Sequence, residues 1–523
     1  MASLFSVFFA LLLVPALSGA VTTPKAGGTL NFVVTPEPPV LVNLATSAVP
    51  VLKVSGKVTE GLLRYDFKFQ PLPQLATSWN ISADGKRYTF HLRQGVKWHD
   101  GKPFTSADVA FSLQLLKRIH PRGKSTFANL VEVKTPDAHT AELLLSQPAP
   151  YLIKAFSSSE SPIVPQHLYA NGDPLANPNN TAPIGTGPFK FYKWVRGSYI
   201  EYVRNPDYWN QPKPYLDKII VRIIPDAAGR AIAFENGSVD LGGDTPVPLG
   251  DIARLKKNPL LGVETSGYQF QAGPARIEFN LDHPALSKLA VRQAIAHAID
   301  RNVIKSAVFY GYADTITSPI LPASPYYSAA PTPYPFDPER ANRLLDQAGY
   351  PRQADGKRFA LVLDPLPIGD APTRTANYIK SALAKLGIAV TIRAQDLPAY
   401  LKRVYTDRDF ALLVNGMSNL FDPTVGVQRL YWSQGFRPGV PFTNASHFNN
   451  AELDRLFEQA AVEIDPAKRV AQFKRIQQIV ATELPDINTV SPRQITLYNQ
   501  RVQGHTVSPN GLDESFADVW LSR

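Results

Sequence analysis

The sequence predicts an α/β fold, and two observations support that class. Between residues 280 and 484, short apolar runs alternate with helical patterns, which is typical of a lobe with a central sheet. These apolar runs are 359–363, 388–392 and 410–414. The first third is instead rich in strand patterns, because Tyr88, Phe90 and Leu92 alternate with polar neighbours as on a half-buried strand.

Turn and cap residues bound the elements of the first part. Asp84-Gly85 predicts a tight turn before the strand at residues 88–92, and His99-Asp100-Gly101 predicts another after it. Thr105 is expected to cap a helix with Asp108 at its third position. The Pro-, Asn- and Gly-rich stretch 171–188 predicts a long surface connection.

Helix signals recur in the second part. One helical face is shared by five apolar residues, namely Val291, Ala294, Ile295, Ala298 and Ile299. Two further helices are expected to begin at Asp-Pro pairs, after Asp337 and after Asp465, and Gly349 closes the first of them. The last ~35 residues return to strand-like pieces, which predicts two chain crossings between lobes.

The length and the first residues bear on organisation and export. A chain of 523 residues suggests about three structural units, at roughly 100–200 residues each. The run from Leu4 to Leu17 is apolar and is followed by Ser18-Gly19-Ala20, so we expect residues 1–20 to be a cleaved signal peptide. No Lys or Arg precedes the run, which leaves a retained anchor or a misassigned start as alternatives.

Charge and cysteine content narrow the partners. The formal net charge is +10, but the Lys and Arg residues are scattered, which favours a solvated basic surface and no nucleic-acid partner. The chain has no cysteine, so disulfides, Cys-ligated zinc, a catalytic thiol and a lipid-modified cysteine are excluded. An exported protein without such a tether is expected in a periplasm, and we expect a monomer.

The sequence lacks the common catalytic motifs, so we predict that the protein is not an enzyme and has no cofactor. The nine histidines are dispersed without a His-Glu-x-x-His pair, and a structural role is favoured for His297. Gly185-Thr186-Gly187 lacks the Lys-Ser/Thr of a P-loop and is interpreted as a turn into a strand at 189–194. No Gly-x-Ser-x-Gly elbow occurs. A glycosidase-type pair of carboxylates remains open, so a secreted hydrolase is the alternative.

Several segments resemble one family in the same order. GVKWHDGKPF at residues 95–104, followed by SADVAFS at 106–112, resembles the signature of family 5 solute-binding proteins, the peptide, oligopeptide and nickel receptors of ABC importers. Four further segments resemble the same family: EGLLRY at 60–65, APIGTGPF at 182–189, RNPDYW at 204–209 and VRQAIAHAID at 291–300. The resemblance extends from about Gly28 to Val507.

The resemblance implies a bilobal periplasmic-binding-protein fold. Two lobes would surround a hinged cleft, the first lobe being split into two subdomains, and closure would bury a peptide or peptide-like solute for delivery to a membrane permease. An opine or a metal chelate is the alternative ligand. The expected division is a signal peptide at 1–20, lobe I at 21–279 with an inserted subdomain at about 60–180, lobe II at 280–490, and a return to lobe I at 491–523.

The expected ligand loop follows the apolar run 410–414, because ligands bind beyond the carboxyl ends of strands in such sheets. In peptide-binding relatives, an acid in the middle of this loop holds the amino terminus of the peptide, whereas residues 417–421 contain no acid. Asp422 stands before Pro423, where it either contacts ligand or caps a turn. The missing acid favours a blocked peptide, an opine-like conjugate or a chelate over a dipeptide with a free amine.

The candidate ligand-binding residues come from three segments, the other two being 35–39 and 157–160 by resemblance. Phe421 and Trp432 are interpreted as cleft wall or alternatively as core, and Glu37 and Glu160 as partners of a cationic group or alternatively as solvated. The predicted set is Glu37, Ser158, Glu160, Asn415, Met417, Asn419, Phe421, Asp422 and Trp432. No metal ligand is predicted.

Overall fold

The structure is a computed structural model that describes residues 23–329 and 334–522. The predicted signal peptide at 1–20 lies outside the described residues. Across those described ranges, no helix has both the length and the apolar character that crossing a membrane requires.

Within the described residues, the strands form three sheets of four or more strands and two small two-stranded ones. In chain order they are β1 (Thr29–Val34), β2 (Leu63–Tyr65), β3 (Pro71–Pro73), β4 (Ala76–Ile81), β5 (Arg87–Leu92), β6 (Leu130–Asp137), β7 (Thr140–Leu145), β8 (Phe189–Val195), β9 (Tyr199–Arg204), β10 (Lys218–Ile223), β11 (Leu241–Gly242), β12 (Leu261–Glu264), β13 (Ala275–Phe279), β14 (Ala313–Thr315), β15 (Phe359–Pro365), β16 (Ile388–Ile392), β17 (Leu412–Gly416), β18 (Asp486–Pro492), β19 (Thr496–Asn499), β20 (Val502–Gln503) and β21 (Trp520–Leu521).

The helices vary in length, and the longest, α15 (Pro466–Glu483), has 18 residues and lies near the end of the chain. In chain order they are α1 (Val49–Ser55), α2 (Ser106–Ile119), α3 (Gly123–Thr126), α4 (Gln166–Tyr169), α5 (Ala227–Glu235), α6 (Leu249–Leu255), α7 (Leu289–Ala298), α8 (Arg301–Val303), α9 (Pro338–Gln347), α10 (Ala371–Ala384), α11 (Leu397–Leu401), α12 (Pro423–Gly426), α13 (Gln428–Tyr431), α14 (Ala451–Val462) and α15 (Pro466–Glu483).

Lobe I is built on a seven-stranded sheet with the order β12-β19-β11-β1-β10-β9-β8. Strand β1 is central and runs parallel to both β10 and β11. Because side chains alternate along a strand, Leu30 and Phe32 pack into one hydrophobic core and Val33 into another on the opposite face. Burial on both faces explains why β1 has few polar residues.

A subdomain of lobe I carries the four-stranded sheet β4-β5-β7-β6. The predicted strand at Tyr88–Leu92 is confirmed as part of β5, with Tyr88, Phe90 and Leu92 buried. The helix after it is also confirmed, because α2 begins with a capping box in which Thr105 and Asp108 bond reciprocally. Helix α2 packs over this sheet and closes the core of the subdomain.

Lobe II contains a six-stranded sheet with the order β14-β18-β13-β17-β15-β16. The predicted helical face at 291–299 is confirmed, since Val291, Ala294 and Ile295 of α7 are fully buried against this sheet. Both Asp-Pro starts are confirmed as well, with Asp337 and Asp465 accepting hydrogen bonds from the first turns of α9 and α15.

One predicted strand begins later than expected. Residues 410–414 were expected to be extended, whereas β17 begins at Leu412 and continues to Gly416. Phe410 and Ala411 are buried although they precede the strand, so hydrophobicity alone does not locate the point at which pairing with β13 begins. The expected ligand loop therefore begins at Met417, and Asn415 lies within the sheet.

The chain crosses between the lobes twice within the described residues. Residues 265–274 connect β12 in the first sheet to β13 in the second, and residues 493–495 connect β18 in the second sheet to β19 in the first. These two adjacent crossings are the only peptide connections between the sheets in the described part, which is the arrangement of a hinge.

Candidate functional site

A cavity of about 260 Å³ lies between the two lobes, beside both crossings. Lobe I, the crossings and lobe II all contribute to its wall. The lining residues are Val49, Leu52, Lys53, Asp244, Tyr268, Gln271, Ala272, Gly273, Ser418, Pro492, Gln494, Pro509, Asn510 and Asp513. A second cavity of about 410 Å³ lies along the crossings and shares Tyr268, Ala272, Pro492 and Gln494 with the first. A molecule held in the first cavity would therefore touch both lobes.

Charged residues of lobe I form one wall of this cavity. The Lys53 Nζ atom of α1 lies 2.6 Å from Asp244 and 2.5 Å from Asp513. It also lies 4.5 Å from the centre of the Tyr268 ring. Desolvation acts to lower the pKa of Lys53, but attraction by Asp244 and Asp513 outweighs it and raises the pKa above its usual range. Desolvation raises the pKa of Asp513, although Lys53 opposes that effect.

The backbone that carries Asp244 is strained. Asp244 and Thr245 both have left-handed conformations, with φ of 52° and 60°. Such conformations cost about 1–3 kcal/mol each and persist where the surroundings enforce them. Here the surroundings include the second crossing, because the Thr245 amide donates to the Ile495 carbonyl at 2.8 Å and its hydroxyl lies 2.9 Å from Gln494 Oε1. Asp244 is thus fixed between lobe I and the hinge.

The loop after β17 faces the cavity from lobe II, but its polar side chains are already bonded. Asn419 Nδ2 donates to the Pro319 carbonyl at 2.8 Å, and Asn419 Oδ1 accepts from the Leu321 amide at 3.0 Å. The loop residue on the wall of the first cavity is Ser418. Residues 417–421 in the middle of the loop contain no acid, and the side-chain amide of Asn419 already has protein partners.

Asp422 is both a helix cap and half of a buried ion pair. Its carboxylate accepts from the Thr424 amide at 3.0 Å, so the capping alternative is the one observed. Both of its oxygens also accept from the Arg469 guanidinium, at 2.7 and 3.0 Å. Desolvation would raise the pKa of Asp422, but the Arg469 charge outweighs it and holds the pKa below its usual value.

Apolar side chains of the same loop join the lobes at the mouth of the cleft. Leu420 and Phe421 pack into the hydrophobic core of the lobe I subdomain. The Phe421 ring lies 5.9 Å from the ring of Phe270, which in turn lies 5.8 Å from Tyr65 and 6.3 Å from Phe69. Since lobe II side chains complete a lobe I core, the structure represents a closed form.

Comparison with known proteins identifies the family. The model of bacterial extracellular solute-binding proteins, family 5, middle region, matches residues 70–437. This chain belongs to that family. Heme-binding protein A of Haemophilus influenzae is 30% identical over 84% of this chain and 82% of the relative. Di/tripeptide-binding protein 1 of Pseudomonas aeruginosa is 30% identical over 86% of both chains.

A solved structure agrees in fold across nearly the whole molecule. The ABC transporter substrate-binding protein CtaP of Listeria monocytogenes superposes with a TM-score of 0.84 at 25% identity, covering 95% of this chain and all of that one. Family 5 membership and this bilobal neighbour make the protein the substrate-binding component of an ABC importer. The family expectation and the fold predicted from the sequence are confirmed.

Two predicted lobe I acids have protein partners in this family 5 receptor. The Glu37 carboxylate accepts from the Trp194 indole at 2.9 Å and from the Gly197 amide at 3.0 Å. Glu160 is buried and pairs with the Arg122 guanidinium at 2.5 and 3.1 Å, so the solvated alternative for Glu160 is wrong. Desolvation raises the pKa of Glu160 in spite of that pair. Neither acid lines the cavity between the lobes.

Four other predicted residues also lie away from the cavity wall. The Ser158 carbonyl accepts from Asn43 Nδ2 at 3.0 Å. Asn415 bonds to Arg276 at 3.0 Å and to Glu278 at 2.9 Å on the sheet. Two are packed against the core beneath α14 and α15, namely Met417, which is buried, and Trp432, whose indole donates to Glu458 at 3.2 Å.

Three predicted residues do meet at a smaller cavity. Asn419, Phe421 and Asp422 line a space of about 30 Å³ at the mouth of the cleft, facing Lys154 and Gln269. The sequence analysis did not predict the lobe I wall of the first cavity. The most important residues that it missed are Lys53, Asp244, Gln271 and Asp513. Gly273 of the first crossing was one signal in the sequence. A Cβ atom at this position would lie 1.9 Å from the Met417 carbonyl oxygen, so the close approach of the lobe II loop requires glycine here.

The histidines and acids provide no metal centre within residues 23–329 and 334–522, where no group of three or more potential ligands comes together. His297 is buried, and its Nδ1 lies 2.7 Å from the Pro335 carbonyl, in keeping with the structural role favoured for it.

Proposed function

We propose that this receptor captures a small peptide or peptide-like solute in the cavity between its lobes and presents it to the permease. The observation that carries the proposal is the cavity itself, whose wall combines lobe I, both crossings and Ser418 of lobe II. A ligand that touches both lobes binds the closed form more tightly than the open form, and this difference in affinity drives closure.

The apolar mouth supports the same cycle. Opening would expose Leu420 and Phe421, which are 9% and 4% exposed in the closed form, together with their partners in lobe I. Burial of one such side chain contributes about 1.5–3 kcal/mol. Loop contacts therefore favour closure, and the ligand adds the remaining free energy. The closed form is the one that the permease is proposed to recognise.

The size and chemistry of the cavity suit a small polar ligand. Its volume of about 260 Å³ is slightly below the ~300–1,000 Å³ that small-molecule pockets occupy. Relatives are named for di- and tripeptides and for haem. We propose the smaller, peptide-like class for this chain, with Ser418 on the lobe II side of the cavity and Asn419, Phe421 and Asp422 at the smaller neighbouring space.

Further parts of the proposal concern context. We propose that the chain is exported to the periplasm by its first 20 residues, acts as a monomer, binds no nucleic acid and catalyses no reaction. We propose the lobe order given from the sequence, with the boundaries moved from 279/280 and 490/491 to the crossings at 265–274 and 493–495, because β13 belongs to the lobe II sheet and β18 continues to Pro492.

The test uses the full mature chain, unfolded and refolded to remove any carried ligand. Melting temperature is then measured with dipeptides, tripeptides, opines, nickel chelates and haemin at equal concentrations. A ligand that binds the folded form stabilises it by mass action, by about 2.7 kcal/mol at a concentration 100 times its Kd. We expect di- or tripeptides to give the largest rise.

Two results would contradict the proposal. The first is stabilisation by haemin or a chelate with none by any peptide, which would assign another ligand class. The second is turnover of peptide or chromogenic glycoside substrates that a single carboxylate substitution abolishes, because that result would make the protein a hydrolase.

A further inference from the structure

We propose that the cleft binds the positively charged amino group of its ligand through Asp244 and Asp513 of lobe I, with the loop of lobe II supplying no charge to it. This inference rests on the proposed function and narrows the ligand to solutes with a free ammonium group, such as peptides with an unblocked amino terminus.

The wall of the cavity between the lobes has a net negative charge. Three charged side chains line it, Lys53, Asp244 and Asp513, and the single ammonium contacts both carboxylates. Two negative charges therefore face one positive charge, which leaves an excess of one negative charge. In a partly desolvated space, such an excess attracts a cation and repels an anion.

Nearby cations outside the wall are already engaged. Lys57 is buried, and its ammonium donates to the carbonyls of Leu512 and Glu514 against the ring of Phe516. Arg230 lines the small cavity on the other side of Asp244, where its guanidinium donates to the carbonyls of Ile224, Pro225 and Pro246. Neither of these cations forms a hydrogen bond or an ion pair with Asp244 or Asp513 among the described residues.

Asp244 retains capacity to accept further bonds. Its side chain is 28% exposed, whereas that of Asp513 is 6% exposed, so the ligand would reach Asp244 first. An ionised carboxylate offers about four acceptor positions, and Lys53 is the only ion-pair partner of Asp244 in the described chain. The strained backbone at Asp244 and Thr245 holds the carboxylate at the edge of the cavity.

A donor stands beside these acceptors. The Gln271 side chain lines the same cavity, and its Nε2 atom is buried with no hydrogen-bond partner among the described residues. A buried amide donor without a partner is costly, so a ligand carbonyl that accepts from it would relieve that cost. Ammonium acceptors next to a carbonyl donor match an α-amino group followed by an amide or carboxylate.

The lobe II loop offers no competing acid. Both oxygens of Asp422 accept from Arg469, and the Asn419 amide is bonded to Pro319 and Leu321. The missing acid at 417–421 was expected to disfavour a free amine. We infer instead that recognition of the amine has moved across the cleft to lobe I.

The test compares free and blocked peptides on the stripped full chain by isothermal titration calorimetry. Ala-Ala, Ala-Phe and tri-alanine are each titrated beside their N-acetylated forms. We expect the acetylated forms to bind at least 100-fold more weakly. Asp244→Asn, which preserves shape and tolerates the left-handed backbone, should weaken the free peptides at least 10-fold. The control Asp251→Asn, an acid of α6 that pairs with Arg254 on the surface, should change affinity less than 2-fold.

The outcomes separate the two proposals. Equal binding of free and acetylated peptides, or full affinity in a folded Asp244→Asn protein, overturns this inference and leaves peptide capture intact. Absence of binding by every peptide, free or blocked, overturns the proposed function and this inference with it. The acetylation comparison uses the unaltered protein, so a folding defect in the variant does not affect it.

Discussion

The two sides of the cleft hold buried aspartates in opposite electrostatic situations. On the lobe II side, Asp422 is the only acid in the described chain that pairs with the Arg469 guanidinium, and this charge lowers the pKa of Asp422 in spite of desolvation. On the lobe I side, Asp513 shares one ammonium with Asp244, so desolvation prevails and its pKa is raised. We infer from this difference that the Asp422–Arg469 pair stabilises the fold, whereas Lys53, Asp244 and Asp513 together keep negative charge available for a ligand.

The same contrast extends to the neighbouring side chains. Beside Asp422, the loop presents Leu420 and Phe421 to a hydrophobic core of lobe I. Beside Asp513, the cavity wall includes Asp244, Gln271 and Asn510. We infer a division of roles in which lobe I selects the ligand and the loop of lobe II stabilises closure.

The largest expected effect comes from breaking the lobe II pair. Arg469→Met leaves the Asp422 carboxylate buried without its counter-charge, and removing one partner of a buried pair costs about 3–5 kcal/mol. Urea unfolding of the ligand-free chain measures the loss. The matched control is Arg475→Met on the same helix, whose exposed pair with Glu452 should contribute less than about 1 kcal/mol. Equal losses in both variants would show that Asp422 does not depend on its pair.

The next effect tests the apolar mouth. Phe421→Ala removes the ring contact with Phe270 of the first crossing and the packing against the core of the lobe I subdomain, and about 2–3 kcal/mol of lost burial corresponds to roughly 30–150-fold weaker ligand affinity. Titration calorimetry with the best ligand of the thermal screen measures it. Phe67→Ala serves as control because Phe67 is 41% exposed in the same subdomain. Unchanged affinity in Phe421→Ala would remove the loop from the closing mechanism.

A pH series separates the two aspartates. Asp513 has a raised folded pKa, so the folded protein takes up its proton at a pH where the unfolded chain stays ionised, and this contribution to stability rises as pH falls towards the usual value of about 3.9. Protonation also removes negative charge beside Lys53 and Asp244. We therefore expect affinity for an amine ligand to fall about 3–10-fold between pH 7 and the raised pKa.

Asp422 should behave in the opposite sense. Its folded pKa is lowered, so its stabilising contribution is complete above about pH 3.9 and is lost only as pH falls further. Calorimetric affinity and urea stability measured over the same pH range should therefore change in different windows. Affinity that stays constant through the pH range in which the Asp513 carboxyl takes up its proton would place the ligand's charge away from Asp513.

The smallest effects are expected at predicted residues that lie off the cavity wall. Glu37→Gln and Trp432→Phe should each change ligand affinity less than 2-fold, because their polar atoms bond to Gly197 and Trp194 and to Glu458. A loss above 10-fold in either variant, with the melting temperature of the free protein unchanged, would mean that the ligand extends well beyond the cavity.

Several helix starts were predictable because each depends on residues that are adjacent in the sequence. The capping box at Thr105 and the Asp-Pro helix starts depend on a few adjacent residues, and they appear where the sequence places them. The loop after β17 was predicted to within two residues from the apolar run before it, since the strand continues to Gly416. The adjacent proline made a cap at Asp422 one of two alternatives, and the hydrogen bond from the Thr424 amide is the observation that shows the cap.

The site chemistry was not predictable in the same way because its partners are distant in the chain. Lys53 and Asp513 are 460 residues apart, and Asp422 and Arg469 are 47 apart. No local pattern marks an acid that will face a cleft rather than a solvent surface, so Glu37 and Glu160 were as plausible as Asp244. Gln271 lies in a crossing whose position became clear only from the sheets.

A crystal structure of the stripped chain loaded with a free di- or tripeptide tests the central claim most directly. We predict peptide density in the cavity between Ser418 and the lobe I wall, with the ammonium nitrogen about 3 Å from a carboxylate oxygen of Asp244 or Asp513. A further cavity of about 360 Å³ lies in lobe I and is lined by residues that include Arg93 and Trp209. Peptide density there, or an ammonium held by the loop of lobe II, would contradict the account.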